Sequence, residues 1–175
     1  MQRIMIIGQP GSGKSTLARA LGEKTGLPVY HMDHIHWQAG WIERSPEEKT
    51  RACHAVEAQD RWIFEGGHSR TWANRAARAE AIIWLDLPLW LRFWRVLRRT
   101  AIWHGRTRPD LPEGCPEGFN KETLPFWAFI WRTRHRSRAA MARLTDTHQG
   151  RIVVIRLRSG AEARALVRDW PDQSL

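Results

Sequence analysis

Arg3-Ile4-Met5-Ile6-Ile7-Gly8-Gln9-Pro10-Gly11-Ser12-Gly13-Lys14-Ser15-Thr16 is the stretch that decides the fold. Ile4 to Ile7 is an unbroken apolar run, the pattern of a buried strand, and it stops at Gly8. From Lys14 the chain reads as a helix to about Lys24, ended by Gly26 and Pro28. Between the two, Gly8 to Ser15 matches G-x-x-x-x-G-K-[ST] in the required context, after a strand and opening a helix. Glycines let the backbone wrap its N–H groups around phosphate oxygens, Lys14 reaches the β- and γ-phosphates, and the Ser15 hydroxyl is a hard oxygen ligand for Mg²⁺. Gly8, Gln9, Pro10, Gly11, Ser12, Gly13, Lys14, Ser15 and Thr16 are therefore the candidate phosphate site, with ATP and Mg²⁺ as the implied ligands.

Outward from this loop, Pro28 to Met32 reads as a short second strand, and Asp33 to Arg44 as an irregular aromatic stretch. Ser45-Pro46-Glu47-Glu48 has a Ser-x-x-Glu capping box with proline at the first helical position, opening a helix to about Asp60. Trp62 to Glu65 and Ala81 to Leu85 are two further strands, with a brief alanine-rich helix between them. Pro88 opens a helix on which Leu89, Phe93, Val96, Leu97 and Thr100 share a face. Gly105 to Asn120 has the Gly, Pro and charge content of a mobile loop, long enough for a lid. A Trp-rich helix from about Pro125 to Thr145, a last strand from Arg151 to Leu157 and a final helix capped at Ser159 complete the chain. Strands alternating with helices predict a parallel α/β sheet of five strands with right-handed crossovers.

The chain has 175 residues, the size of one ordinary domain, and 42% hydrophobic with 26% charged residues is a globular balance. The best candidate for a membrane span, Ala81 to Trp94, is interrupted by Asp86, Pro88 and Arg92, and the apolar run at the start is too short for a secretory signal. The expectation is a cytoplasmic protein with no membrane partner. Cys53 and Cys115 form no metal-ligand pattern and are not expected to carry chemistry. Of the net charge of +10, +7 falls between Arg92 and Arg138, where 11 Lys and Arg face 4 Asp and Glu. That stretch implies an anionic partner, either nucleic acid or a small phosphorylated molecule.

A magnesium-phosphate site needs a carboxylate at another strand end, and Asp33, Glu65 and Asp86 are the candidates. Asp86, just before Pro88, reads better as a helix cap. Glu65 is followed by Gly66-Gly67, where backbone can approach a ligand. Asp33 with Trp37 and Trp41 has the look of an acceptor pocket, polar at one point and aromatic around it, with aromatic packing under a loop as the plain alternative. His31, His34 and His36 fall at irregular spacing, which argues against a metal cluster. Arg106 and Arg108, in the long loop, are placed to close over a transferring phosphoryl group, while Arg132 with Arg136 and Arg134 with Arg138 share helix faces.

The motif at Gly8 to Ser15, His31-Met32-Asp33 followed by Trp37 and Trp41, Trp62-Ile63-Phe64-Glu65-Gly66, Leu85-Asp86-Leu87-Pro88, and Gly105-Arg106-Thr107-Arg108-Pro109-Asp110 with Gly114-Cys115-Pro116-Glu117 together resemble the bacterial FlaR-related DNA topology modulation proteins. These are adenylate-kinase-like P-loop proteins, and the likeness runs from Arg3 to about Leu157. It implies a nucleoside-monophosphate-kinase-like domain over residues 1–175, with a parallel sheet of order 2-3-1-4-5, an acceptor region at about 31–72 and an arginine lid at about 105–120. Glu65-Gly66-Gly67-His68-Ser69-Arg70-Thr71 also resembles the Asp-Gly-Phe-Pro-Arg-Thr segment of adenylate kinases, which implies that Arg70 holds an acceptor phosphate. Glu stands here for Asp, and Gly-His-Ser for Phe-Pro.

Three functions follow. The first is an ATP- and Mg²⁺-dependent phosphotransferase: Lys14, Arg106 and Arg108 act on the phosphates, Ser15 with Glu65 or Asp33 serves the metal, and Asp33, Trp37, Trp41 and Arg70 bind a small acceptor, a nucleotide among the classes allowed. The second is a nucleotide-regulated nucleic-acid binder using the Arg-rich surface, although no helix-turn-helix, zinc-finger or RNP motif is present. The third is a plain NTPase. Oligomeric state is left open.

Overall fold

The computed structural model describes residues 1–119 and 123–171; Asn120, the last residue of the expected lid, and the final four residues of the expected domain lie outside them. Strand β1 (Arg3–Gly8) leads into helix α1 (Lys14–Thr25) and strand β2 (Val29–His31). A short helix α2 (Met32–His36) and a hairpin of β3 (Trp37–Gln38) and β4 (Ile42–Glu43) precede α3 (Pro46–Glu57). Then come β5 (Trp62–Glu65), α4 (Trp72–Arg78), β6 (Ala81–Leu85), α5 (Leu89–Ile102), α6 (Thr123–His148), β7 (Val153–Leu157) and α7 (Gly160–Asp169).

Five strands pair in parallel in the order β2-β5-β1-β6-β7, which is 2-3-1-4-5 when only these strands are counted. The order reverses beside β1, so the crevice at the carboxyl ends of the strands opens where the glycine loop emerges. Register sets Ile6 beside Glu65 and Gly8 beside Leu85. The two-residue period of β1 divides the core. Ile4 and Ile6 pack with Leu17 and Leu21 of α1, with Leu166 and Val167 of α7 at the edge. Met5 and Ile7 pack with Cys53 and Val56 of α3, Ala76 of α4 and Met141 of α6. A helix layer covers each face, as the apolar strands require.

The capping box at Ser45 forms in full: Ser45 Oγ accepts from the Glu48 N–H while the Glu48 carboxylate accepts from the Ser45 N–H. The aromatic stretch after Asp33 is not irregular, because α2 and the β3–β4 hairpin order it. Arg44 explains how so short a helix is held: its Nη1 donates to the carbonyls of His34 (2.8 Å), Ile35 (2.9 Å) and Trp37 (2.8 Å). These take up the C-terminal carbonyls that a helix leaves without partners.

Helix α5 departs from the expected face. Val96 and Thr100 are buried, but Arg92 joins them and Leu97 is exposed together with Trp90 and Trp94. Arg92 turns inward because it has acceptors there: Nε donates to the Leu87 carbonyl (3.2 Å) and Nη1 to that of Pro10 (3.4 Å).

The segment after α5 has the composition of a mobile loop but a folded structure. The Gly105 N–H donates to Glu117 O (2.8 Å), the Glu117 N–H to Arg106 O (3.0 Å), and Thr107 bridges to Pro116. Leu111 and Cys115 are buried. The segment docks on the hairpin through the Gly40 N–H to Gly114 O (2.9 Å), Trp41 Nε1 to Pro116 O (3.1 Å) and Cys115 Sγ to Gln38 O (3.2 Å). Trp41 adopts φ 61°, a left-handed conformation unfavourable for a bulky residue, at the point where these contacts are made. Among the described residues, no helix is long and apolar enough to cross a membrane.

Candidate functional site

The glycine loop is built by exclusion as much as by bonding. Gly11 has φ 77°, and a Cβ there would lie 2.4 Å from the Arg92 carbonyl oxygen, so no other residue fits. The Ser12 N–H closes a turn onto Gln9 O (3.1 Å), and α1 begins immediately after Gly13. Helix α5 braces the loop from outside: Arg95 Nη1 donates to Ser12 O (2.9 Å), beside the Arg92 contact to Pro10. On the other side Gln9 Nε2 donates to Arg134 O of α6 (2.8 Å). Ser12 Oγ is fully buried with no hydrogen-bond partner among the described residues, the condition of a donor in want of a ligand oxygen. Thr16 is exposed on the first turn of α1.

Glu65 ends β5 with 2% of its surface exposed. Its Oε1 accepts from Ser15 Oγ at 3.0 Å and lies 2.8 Å from His31 Nδ1. Burial pushes the Glu65 carboxyl up, but the His31 hydrogen bond, the charge of Lys14 and the Ser15 bond together hold it below the usual carboxylate range. The charged form of Glu65 is thus the favoured one beside the loop hydroxyl. Asp33, in the first turn of α2, moves the other way: burial and then the charge of Glu65 raise it, against Lys14 and Arg108. Two carboxylates thus share the field of one lysine with opposite proton affinities.

Gly66 lets α2 lie against β5. Its φ is 107°, and a Cβ there would meet Met32 Cβ at 2.5 Å. Arg75 fixes the turn from below, with Nη1 to Gly66 O (3.1 Å), Nε to Glu57 (3.1 Å) and its guanidinium 3.6 Å above the Phe64 ring.

The remaining candidates divide. Trp37 and Trp41 pack edge to face, with centroids 5.4 Å apart. Arg70 is exposed, its Nη1 3.6 Å from Glu47. Arg106 is exposed, with no side-chain partner among the described residues. Arg108 is neither exposed nor unpaired: it is 7% exposed, donates from Nε to Glu117 at 2.7 Å and pairs with Asp110. Arg99 Nε reaches the same Glu117 oxygen at 3.2 Å, and Arg19 of α1 lies 3.6 Å from Asp110. Asp86 does not cap α5; it accepts from Arg138 (2.8 and 2.9 Å) and from Arg156, tying β6 to α6 and β7. His34 Nε2 lies 3.1 Å from Pro109 O, so the histidine run divides between Glu65, the lid and the hairpin. Both cysteines are buried and unpaired, and burial raises the Cys53 thiol. A cleft of about 640 Å³ between α2 and the lid is lined by His34, Thr107, Arg108, Leu111 and Glu113.

With the parallel sheet, the glycine loop at its switch point and the Ser15–Glu65 bond in view, known structures can be set beside this one. Shikimate kinase from Acinetobacter baumannii, in complex with shikimate, superposes with a TM-score of 0.55 at 18% identity, covering 96% of this chain and 89% of that one. The chain has the P-loop kinase fold. Shikimate kinase from Aquifex aeolicus gives a TM-score of 0.52 at 12% identity over 95% and 91%, and a sugar kinase from Janibacter 0.51 at 15% over 95% and 92%. The family model of ATPases associated with various cellular activities matches residues 4–86, from β1 to the end of β6. Cytidylate kinase of Aeropyrum pernix is 29% identical over 112 residues, 56% of this chain and 64% of that protein, so the match spans less than two thirds of the relative's length.

Within this P-loop kinase fold, several contacts had no counterpart in the sequence patterns. Arg92 and Arg95 on the loop carbonyls, and His31 on Glu65, depend on elements distant in the chain. A basic residue on the otherwise apolar Val96–Thr100 face was the available signal for Arg92; none marked His31.

Proposed function

We propose that the protein is an ATP- and Mg²⁺-dependent phosphotransferase acting on a small hydroxylated acceptor. The observation that carries this is the bond of Ser15 Oγ to the buried Glu65 carboxyl, at the loop that presents Lys14. The donors suit the ligands: Ser15 and Glu65 offer hard oxygens, and the glycine loop with the buried Ser12 hydroxyl, which has no partner among the described residues, suits phosphate. Mg²⁺, held through Ser15 with Glu65 or Asp33 in reach, would neutralise charge on the β- and γ-phosphates. The backbone of Gly8 to Thr16 and Lys14 bind those phosphates, and His31 fixes the orientation of Glu65. Asp33, its proton affinity raised by burial, accepts the acceptor's hydroxyl proton as that oxygen bonds to the γ-phosphorus and the bond to the β-phosphate oxygen breaks, releasing ADP. Arg106 supplies charge to the transferring group, and Arg108 gives the lid its shape beside it. Trp37, Trp41 and Arg70 border the acceptor.

Motif order supports placing the chain with the FlaR-related proteins. Exposed Arg98, Arg132 and Arg136 favour nucleic-acid binding as the second reading. The test is ATP consumption screened against nucleoside monophosphates, sugars and hydroxy acids, with product masses. A phosphorylated acceptor formed one for one with ADP is expected. ATP hydrolysis indifferent to every acceptor, or stimulated only by DNA, would replace this function with one of the alternatives.

A further inference from the structure

Three basic side chains, from α2, α3 and the loop after β5, gather around Glu43 and Thr50 and take no part in the phosphate site. His36 follows Asp33 by three residues on α2, a spacing that puts both on the same side of the helix. Its ring packs edge-on against Trp37 (4.4 Å), and its Nε2 is 3.6 Å from Glu43 Oε1. Lys49 of α3 reaches that same oxygen at 2.5 Å. The next residue, Thr50, places Oγ1 3.0 Å from Nε2 of His68, which follows Gly66 and Gly67 after the site carboxylate.

The Lys49 pair is lopsided. The lysine side chain is 6% exposed and that of Glu43 56%. An ammonium carries three donors, and Glu43 is its one acceptor among the described residues. A buried cation with a single solvated partner is incompletely compensated. The histidines register the same positive field: burial and then Lys49 lower both, with Arg75 and Arg70 adding to the effect at His68. The acids facing them are Glu43, solvated, and Glu57, already bonded to Arg75, Asn74 and His54.

We propose that Lys49, flanked by His36 and His68, is an anion subsite, that Glu43 occupies it in the free protein, and that the acceptor therefore carries a carboxylate or phosphate in addition to the hydroxyl facing Asp33. The acceptor and its hydroxyl rest on the phosphotransferase function; the anion subsite does not. Arg70, near His68, borders the same subsite.

The test fills the phosphate loop first, with Mg²⁺ and a non-hydrolysable ATP analogue, then titrates inorganic phosphate and, separately, malonate at constant ionic strength. The His36 and His68 imidazole resonances are followed by NMR. A saturable shift with at least one anion is expected, and which anion produces it identifies the group. Lys49→Gln should weaken that binding tenfold or more, and Lys49→Arg should keep it. Glu43→Gln, which removes the internal competitor, should tighten it, whereas a pair that merely ties the hairpin to α3 gives no tightening. No saturable shift with either anion, or the same titration in folded Lys49→Gln, overturns the subsite. Anion binding as described without phosphoryl transfer to any acceptor removes the phosphotransferase and leaves the subsite. Turnover on a neutral hydroxylated acceptor that Lys49→Gln does not slow removes the subsite and leaves the phosphotransferase.

Discussion

Arg108→Ala tests whether the lid is a folded unit or a loose loop. In the structure the guanidinium bridges two carboxylates, Asp110 and Glu117, and all three side chains are 6–8% exposed. Truncation leaves both acids buried with weakened compensation, a change that costs about 3–5 kcal/mol when a buried pair loses one member. Arg99 stays 3.2 Å from Glu117 and Arg19 3.6 Å from Asp110, so the lower end, about 3 kcal/mol, is the appropriate magnitude. At ~2–4 °C per kcal/mol for a chain of this size, Tm should fall by roughly 6–12 °C. If the lid opens by itself, the same energy appears as about 100-fold faster amide exchange confined to residues 105–119. Arg106→Ala, at an exposed residue without a partner, should stay within about 0.5 kcal/mol of the parent while lowering kcat at nearly unchanged ATP affinity. Thermal unfolding, hydrogen exchange and turnover on the two variants decide the matter. An Arg108→Ala protein with parental Tm and parental exchange across 105–119 would refute the claim that this ion cluster holds the lid.

Asp33→Asn should raise Tm at neutral pH and sharply lower kcat: the folded pKa lies above the unfolded value, so stability falls as pH rises through that window, and the amide removes the cost. A variant less stable than the parent at pH 7 would contradict this. Asp86 carries the opposite sign, since burial raises its carboxyl but Arg138 and Arg156 lower it further; its contribution is present above about pH 4 and is lost as pH falls through the depressed folded value. Asp86→Asn should therefore flatten the acid limb of Tm against pH, and an unaltered limb would remove Asp86 from acid stability. Glu65→Gln should raise the Mg²⁺ concentration needed for turnover more than it weakens nucleotide binding. Wild-type Mg²⁺ dependence in that variant, with loss in Asp33→Asn limited to kcat, would place the metal's carboxylate elsewhere.

The local pattern of this sequence determined the elements whose causes are local. Ile4 to Ile7, Trp62 to Glu65 and Ala81 to Leu85 are apolar enough to form only buried strands, and the Ser45 capping box and the glycine loop are short-range geometry. Their alternation with helices gave the parallel class, and the FlaR resemblance implied the strand order the sheet shows. Partners were different, because a hydrogen bond across the sheet leaves no mark on spacing. The composition of residues 105–120 reads as mobile because Gly, Pro and charge are also what a solvated loop carries; burial of Arg108 between Asp110 and Glu117 makes these charges internal. Asp86 read as a cap because Pro88 follows it, but Arg138 and Arg156, 52 and 70 residues away, claimed both its oxygens. Tertiary structure alone brought Ser15, His31 and Glu65 onto one carboxylate oxygen and Lys49 next to two histidines. Such meetings are set by how helices pack on the twisted sheet, a long-range balance of burial and compensation that neighbouring residues in the chain do not encode.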